Sequence, residues 1–212
     1  MNILISHHST AIEGSSLTED ETRLLLTEGI TAKGKPINDH NMVKDHHAAL
    51  LETIKMASKK EKFTPEMIRK ISALVMKTTG GEINSIAGTY NSALGDWRKS
   101  MVYVGTRYFS DYQKVPSQVK TLCDELNTKI DSVTTQIDVY NLSFDAHFGL
   151  VSIHPFADGN GRVSRLLMNY ILAYHKLPLA VIFQEDKKEY FVALEESRKN
   201  DNIRFFYDFM YS

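Results

Sequence analysis

Apolar positions recur at helical spacing along most of the chain. Across 39–57, Met42, Val43, His46, Ala49, Leu50 and Ile54 fall on one helix face. Across 138–153, Leu142, Ala146, Leu150 and Ile153 form one stripe. Val163, Leu166, Leu167, Tyr170, Ile171 and Tyr174 fit i, i+3, i+4, i+7, i+8, i+11 and make the clearest helix in the sequence. Punctuation residues set the ends. Thr18-x-x-Glu21 is a capping box opening a helix that carries Leu24 and Leu25 and stops near Gly29. A loop with Gly34, Pro36 and Asn38 follows. Thr64 and Pro65 suit the cap and first position of a helix over 64–77, and Pro116-Ser117 start another reaching Ile130. Helices over 187–198 and 202–210 close the chain. The helical texture breaks once, in GGEINSIAGTYNSALGDWRKSMVYVG. Its bounding glycines, the internal Gly95-Asp96 and the alternating Met101-Val102-Tyr103-Val104 predict one short hairpin over 90–105. The predicted fold is all-α with one short β-hairpin, without internal repeats or low-complexity tracts.

Composition narrows the class. The 212 residues suit a single domain with a substantial core. Hydrophobic residues at 42% and charged residues at 24% are ordinary for a globular protein. A formal net charge of −1 gives no global field to attract nucleic acid or an anionic membrane. The single cysteine, Cys123, excludes an intramolecular disulfide framework and fits a reducing compartment. MNILISHHST lacks the basic start and long apolar run of a signal peptide, and LPLAVIF is too short to span a bilayer. A cytoplasmic protein is expected.

Between the two best helical segments lies HPFADGNGR, residues 154–162. Gly159-Asn160-Gly161 accepts positive φ angles, which turn successive N–H groups toward one point as an anion nest. The helix starting behind it adds its free N–H groups and positive dipole end. Arg162 and Arg165 lie three residues apart, away from the Val163/Leu166/Leu167/Tyr170 stripe and on a face with Asn169. Two guanidinium forks beside a nest suit a polyphosphate. Asp158 would repel phosphate unless it held a divalent cation that bridges the oxygens. His154 is the group able to accept a proton near neutral pH, and Phe156 reads as an apolar anchor. Together these parts describe transfer of a phosphorus-containing group from a metal-bound nucleotide to a hydroxyl.

Other readings of these residues fit less well. An EF-hand fails because Arg162 and Asn169 would fall where carboxyl-type ligands are required. No Gly-Lys-Ser/Thr follows for a P-loop, and no GxGxxG follows a strand. The pairs His7-His8 and His46-His47 point to different sides of a helix, which argues for solvated or capping residues and against zinc. His147 reads as a half-buried structural residue.

His154-Pro155-Phe156-Ala157-Asp158-Gly159-Asn160-Gly161-Arg162-Val163-Ser164-Arg165 resembles the signature of the Fic-domain proteins, H-x-F-x-D/E-G-N-G-R-x-x-R, at every fixed position. The resemblance spans most of the chain. It implies a Fic-type helical core and transfer of AMP from ATP, with Mg²⁺ or Mn²⁺, to a Ser, Thr or Tyr hydroxyl of a target protein or of the enzyme itself. By position, His154 would be the general base and Asp158 the metal ligand. Gly159, Asn160 and Gly161 would cradle phosphate oxygens, Arg162 would contact the pyrophosphate and Arg165 the γ-phosphate. The Gly161-Arg162 pair argues against the kinase-like branch, whose loop has lysine there. The hairpin resembles the family's flap, which would clamp a target segment by strand addition. Val102 and Val104 belong to it, and Trp97 is either a target contact or a packing residue. Tyr190 either lines the nucleoside pocket or is plain core. The region of Arg198 and Lys199 departs from related sequences and leaves nucleotide identity open.

Ser9-Thr10-Ala11-Ile12-Glu13-Gly14 resembles the family's inhibitory motif, S/T-x-x-x-E-G/N. Residues 1–15 would then be an inhibitory segment packed on a Fic domain over 16–212. Ser9 and Glu13 share a helix face, and Gly14 suits the residue that ends the helix. Glu13 would pair with Arg165 and take the fork meant for the γ-phosphate. Use of another nucleotide, reversal of the modification, a catalytically silent nucleotide-binding module and homo-oligomerisation stay open. No feature favours a nucleic-acid or membrane partner.

Overall fold

Nine helices form among the described residues: α1 (Asn2–Ile12), α2 (Glu19–Glu28), α3 (Ile37–Ser58), α4 (Pro65–Val75), α5 (Val115–Ile130), α6 (Gln136–Ile153), α7 (Asn160–Tyr174), α8 (Lys187–Lys199) and α9 (Arg204–Met210). The structure is a computed structural model that describes residues 1–104 and 107–212, without the side chains of Val104 and Arg107. Gly105, where the expected hairpin ends, lies outside the described residues. The helices predicted from periodicity are all present, with ends within about two residues. Their caps explain this. Thr18 Oγ1 accepts the Glu21 N–H while Glu21 Oε2 accepts the Thr18 N–H, and Gly29 closes α2 in the left-handed region at φ 73°. Thr64 and Thr135 cap α4 and α6 by accepting the N–H of Met67 and Asp138.

Helix α7 is the centre of the molecule. It packs against α6 and α3 foremost, with α4 and α1 alongside. The apolar stripe predicts a two-faced helix, yet its polar face is buried as well: Arg162, Arg165 and Asn169 are 1%, 3% and 1% exposed. Helix α1 covers part of that face. Asn169 pins the chain beyond α7, with Oδ1 accepting the Ala180 N–H and Nδ2 donating to the Ala180 carbonyl. The main core gathers Leu50, Ile68, Ile71, Leu150, Leu166, Leu167 and Tyr170, and a second cluster joins Ile12, Phe144, Met168, Tyr190 and Phe206 beneath α8 and α9. Three histidines differ from expectation. His46 and His8 are buried where solvated or capping positions were expected, and His147 is fully rather than half buried. Their surroundings are supplied by α7, α1 and α8, which local sequence does not encode.

The strands form two small hairpins instead of the single one expected over 90–105. Strands β1 (Glu82–Ser85) and β2 (Gly88–Asn91) pair antiparallel with Ser85 opposite Gly88, leaving Ile86-Ala87 as the turn. Strands β3 (Tyr103–Val104) and β4 (Arg107–Tyr108) pair with Tyr103 opposite Tyr108. Gly95-Asp96, read from sequence as part of the hairpin, instead docks on α4. The Arg69 guanidinium donates to the Gly95 carbonyl at 2.9 Å and to Asp96 Oδ1 at 2.6 Å, while Asp96 Oδ2 accepts the Asn91 N–H. Gly95 has φ 67°, and a Cβ there would overlap the Arg69 carbonyl, so both conformation and proximity require glycine. Trp97 consequently sits outside both hairpins, with its ring stacked on Phe156 at 5.0 Å. Among the described residues no helix is long and apolar enough to cross a membrane.

Candidate active site

The loop joining α6 to α7 is built by its own side chains. His154 ends α6 with its N–H on the Leu150 carbonyl and φ at 54°, a left-handed conformation that costs a non-glycine residue about 1–2 kcal/mol. Phe156 is 1% exposed and anchors the loop in the core. Asn160 closes the turn: Oδ1 accepts the Phe156 N–H and Nδ2 donates to the Phe156 carbonyl, both at 2.9 Å. The Asn160 side chain is thus spent on the loop, and its main-chain N–H stays available for the cradle expected there. Gly159 caps α7 at φ 79°, with its N–H on Asp158 Oδ1 at 2.6 Å. A helix leaves its first N–H groups without internal acceptors, so those of Asn160, Gly161 and Arg162 face one point with the positive end of the dipole behind them.

Both arginines are held just behind that point. Arg162 donates from Nη2 to Asp158 Oδ2 at 3.1 Å and to Met76 Sδ, and its buried Nε and Nη1 meet no partner among the described residues. Unsatisfied buried guanidinium N–H groups are expensive, and an anion would satisfy them. Arg165 is fully engaged. Nε donates to Ser9 Oγ and Nη2 to the Ser9 carbonyl, each at 2.8 Å, and Nη2 also meets Glu13 Oε1 at 2.7 Å. Nη1 reaches the Tyr190 hydroxyl, which in turn contacts His147 Nε2 at 2.8 Å. Tyr190 is therefore both buried core and part of the polar chain behind the loop.

Charge follows from this arrangement. Burial, with Arg165 and Arg162 next, pushes the pKa of His46 well below its ordinary value, and burial with Arg165 does the same to His147. Both imidazoles are neutral, so they add no charge to the arginines. Burial would lower the Arg165 pKa, but the Glu13 carboxylate and Tyr190 hold it above its ordinary value. The basin is cationic, with Glu13 pressed into it: a Cβ on Gly161 would lie 2.5 Å from Glu13 Oε1 and 3.1 Å from Arg165 Nη1.

The side chain of Asp158 is 67% exposed at the mouth. Among the described residues no group of three or more His, Cys, Asp or Glu forms a closed metal cage. A single open carboxylate beside an anion cradle fits Mg²⁺, which usually takes one or two carboxylates and completes its shell with water and substrate phosphates. On the other side of His154, the Phe109 ring stacks on the imidazole at 4.1 Å, and the Phe109 N–H donates to the Val102 carbonyl. The β3–β4 hairpin is thus the one beside the candidate base, and Val104 lies in it. Sequence reasoning missed Phe109, Met76, His147 as the partner of Tyr190, and Arg98. Arg98 is 1% exposed and reaches three main-chain carbonyls, which leave no mark in a sequence pattern.

Known proteins share this design. A model of the Fic/DOC family matches residues 62–172, more than half of the chain. "Protein adenylyltransferase fic-1" of Caenorhabditis elegans is 32% identical over 200 residues, covering 93% of this chain and 37% of that protein. "Protein adenylyltransferase Fic" of Drosophila willistoni is 30% identical over 195 residues, covering 92% and 36%. The chain spans little more than a third of the length of these relatives. A solved fragment of C. elegans Fic-1 superposes with a TM-score of 0.81 at 28% identity, covering 98% of this chain and 58% of that one. A Fic-domain-containing signalling protein of Bacteroides thetaiotaomicron gives 0.77 at 28% identity, covering 92% and 71%. With the family pattern matched from α4 through most of α7 and the helical architecture shared, this chain belongs to the Fic/DOC family.

Proposed function

We propose that the chain is an autoinhibited protein adenylyltransferase, moving AMP from ATP to a Ser, Thr or Tyr hydroxyl of a target protein or of itself. The names of its relatives support the reaction, and the loop supports the assignment of roles. The N–H groups opening α7 and those on Nε and Nη1 of Arg162 hold phosphate oxygens. Arg165 takes the terminal phosphate. Asp158 holds Mg²⁺ or Mn²⁺, which when bound neutralises phosphate charge. With Nδ1 of His154 buried, Nε2 takes the proton of the incoming hydroxyl. The hydroxyl oxygen bonds to the α-phosphorus, the bond to the leaving oxygen breaks, and pyrophosphate departs. The β3–β4 hairpin offers its edge to an extended target segment.

In this state Glu13 occupies the place of the terminal phosphate. The observation that carries the reading is the 2.7 Å pair between Glu13 and Arg165, seated on Gly161 at the mouth of the cradle. Residues 1–15 therefore act as the inhibitory segment, with Ser9 holding the same guanidinium from behind. Purified Glu13→Gly protein incubated with Mg²⁺ and ATP is expected to gain the mass of AMP on a Tyr, Ser or Thr. His154→Ala in that background should bind ATP and gain nothing. ATP binding without any adduct in the Glu13→Gly protein would overturn the transferase reading in favour of a silent nucleotide-binding module.

A further inference from the structure

Arg98 is among the largest fully buried side chains, yet its hydrogen bonds go to main-chain carbonyls. Nε donates to the His154 carbonyl at 2.8 Å, Nη1 to the Ser100 carbonyl at 2.8 Å and Nη2 to the Ser110 carbonyl at 2.6 Å. Its own N–H donates to the Pro155 carbonyl at 3.0 Å. Each acceptor has a role. His154 terminates α6, so its carbonyl has no donor within the helix, and a cation there complements the negative dipole end. Ser100 precedes β3 and Ser110 follows β4, so two arms of one planar fork hold both feet of the hairpin. Phe109, adjacent to Ser110, stacks on the His154 ring. One rigid group thus sets three things together: the left-handed backbone of His154, the plane against which its imidazole rests, and the base of the β3–β4 hairpin.

We propose that Arg98 is a positioning residue that fixes the hairpin and the His154 backbone as one unit, so that a target segment docked on the hairpin presents its hydroxyl at a set distance from the imidazole. The inference rests on the transferase reading for its catalytic consequence, while its geometric half stands apart. A lysine can reach one of these carbonyls but cannot fork to all three in one plane. A misplacement of about 1 Å costs a catalysed step up to about 100-fold.

The test uses the full chain with Glu13→Gly as parent, adding Arg98→Lys or Arg98→Met. Self-modification with labelled ATP is expected to slow about 10- to 100-fold in both, with KM for ATP and calorimetric Kd unchanged, because the nucleotide cradle is untouched. Amide hydrogen exchange is expected to rise together in 100–110 and 154–156 while α3 and α7 keep their protection. A folded Arg98→Lys protein that transfers at the parent rate would overturn the proposal. So would exchange that rises in 100–110 alone, since Arg98 would then hold only the hairpin. If Arg98→Met does not fold, Arg98→Lys carries both measurements. If the parent transfers no AMP, the transferase reading falls, and the paired exchange response still decides whether Arg98 joins hairpin and base.

Discussion

Replacing Glu13 with glycine removes the carboxylate from the Arg165 fork, and the size of the effect follows from the ion pair that Glu13 makes there. The carboxylate meets Arg165 Nη2 at 2.7 Å, with side-chain exposures of 28% and 4% for Glu13 and Arg165. At an effective dielectric near 20, two unit charges about 4 Å apart attract by about 4 kcal/mol. Solvent reaches Glu13, and the side chain gives up rotational freedom to stay in place. A charge-assisted hydrogen bond nets about 1.5–3 kcal/mol under such conditions. Taking about 2–3 kcal/mol as the advantage Glu13 holds over a terminal phosphate, its removal should raise transfer about 30- to 150-fold at fixed, subsaturating ATP. Arg165 itself stays in place, because its bonds to Ser9 and Tyr190 remain. The assay is the initial rate of label incorporation from α-labelled ATP, with ATP affinity measured by calorimetry in parallel. Glu13→Gln keeps the shape and one hydrogen bond but not the charge, and should fall between wild type and Glu13→Gly. A Glu13→Gly protein that binds ATP as wild type does and labels no faster would refute the competition.

The remaining expectations are spread over the molecule. His154→Ala in the Glu13→Gly background should lower transfer by about 10²- to 10⁴-fold with calorimetric ATP affinity unchanged, and a smaller loss would remove His154 as general base. Gly95→Ala places a methyl group on the Arg69 carbonyl in a left-handed conformation; it should cost about 2–4 kcal/mol and lower Tm by about 4–16 °C, and an unaltered melting curve would show that this close approach is not required. His46 and His147 have folded-state pKa values well below 6.5, so the unfolded chain binds their protons first as pH falls. Their contribution is complete above about 6.5 and shrinks toward each folded pKa, at up to about 1.4 kcal/mol per pH unit for each histidine. Urea midpoints should therefore drop between pH 7 and 5.5, and equal midpoints would contradict neutral burial. Thr18→Ala breaks the reciprocal cap of α2 and should cost about 1 kcal/mol in the same denaturation assay.

Local grammar explains what could be read in advance. Capping residues and apolar spacing are short-range signals, and they locate the helices from α2 to α9. The loop before α7 was legible because glycine, arginine, histidine and aspartate each have narrow chemical uses at that spacing. Contacts made at long range were not. Gly95-Asp96 looks like a turn in isolation and becomes a strut once Arg69 on α4 engages it. His46 and His147 look solvated or half buried until α7 and α8 are packed over them. Arg98 was invisible because every residue carries a carbonyl, so nothing in the sequence marks its acceptors. Helix α1 has little apolar periodicity, since it buries Ser6, His8, Ser9 and Thr10 alongside Ile5 and Ile12, and only the inhibitory motif pointed to it.

Under the proposed autoinhibition, the seating of α1 determines how Glu13 would be withdrawn. Ile12 is locked among Phe144, Val151, Met168 and Tyr190, and Ile5 joins the main core. Ser6, His7 and His8 tie the same helix to His47, Thr22 and the Gln184 N–H. Prising the whole helix away would expose both isoleucines at about 1.5–3 kcal/mol apiece, before counting the severed polar ties. Glu13 sits one residue past the last turn and beside Gly14, whose φ of 104° few other residues would adopt. The lever is therefore the C-terminal corner of α1 alone. On that proposal an activator would need only to unwind that final corner, while cutting off the entire segment would remove part of the chassis along with Glu13.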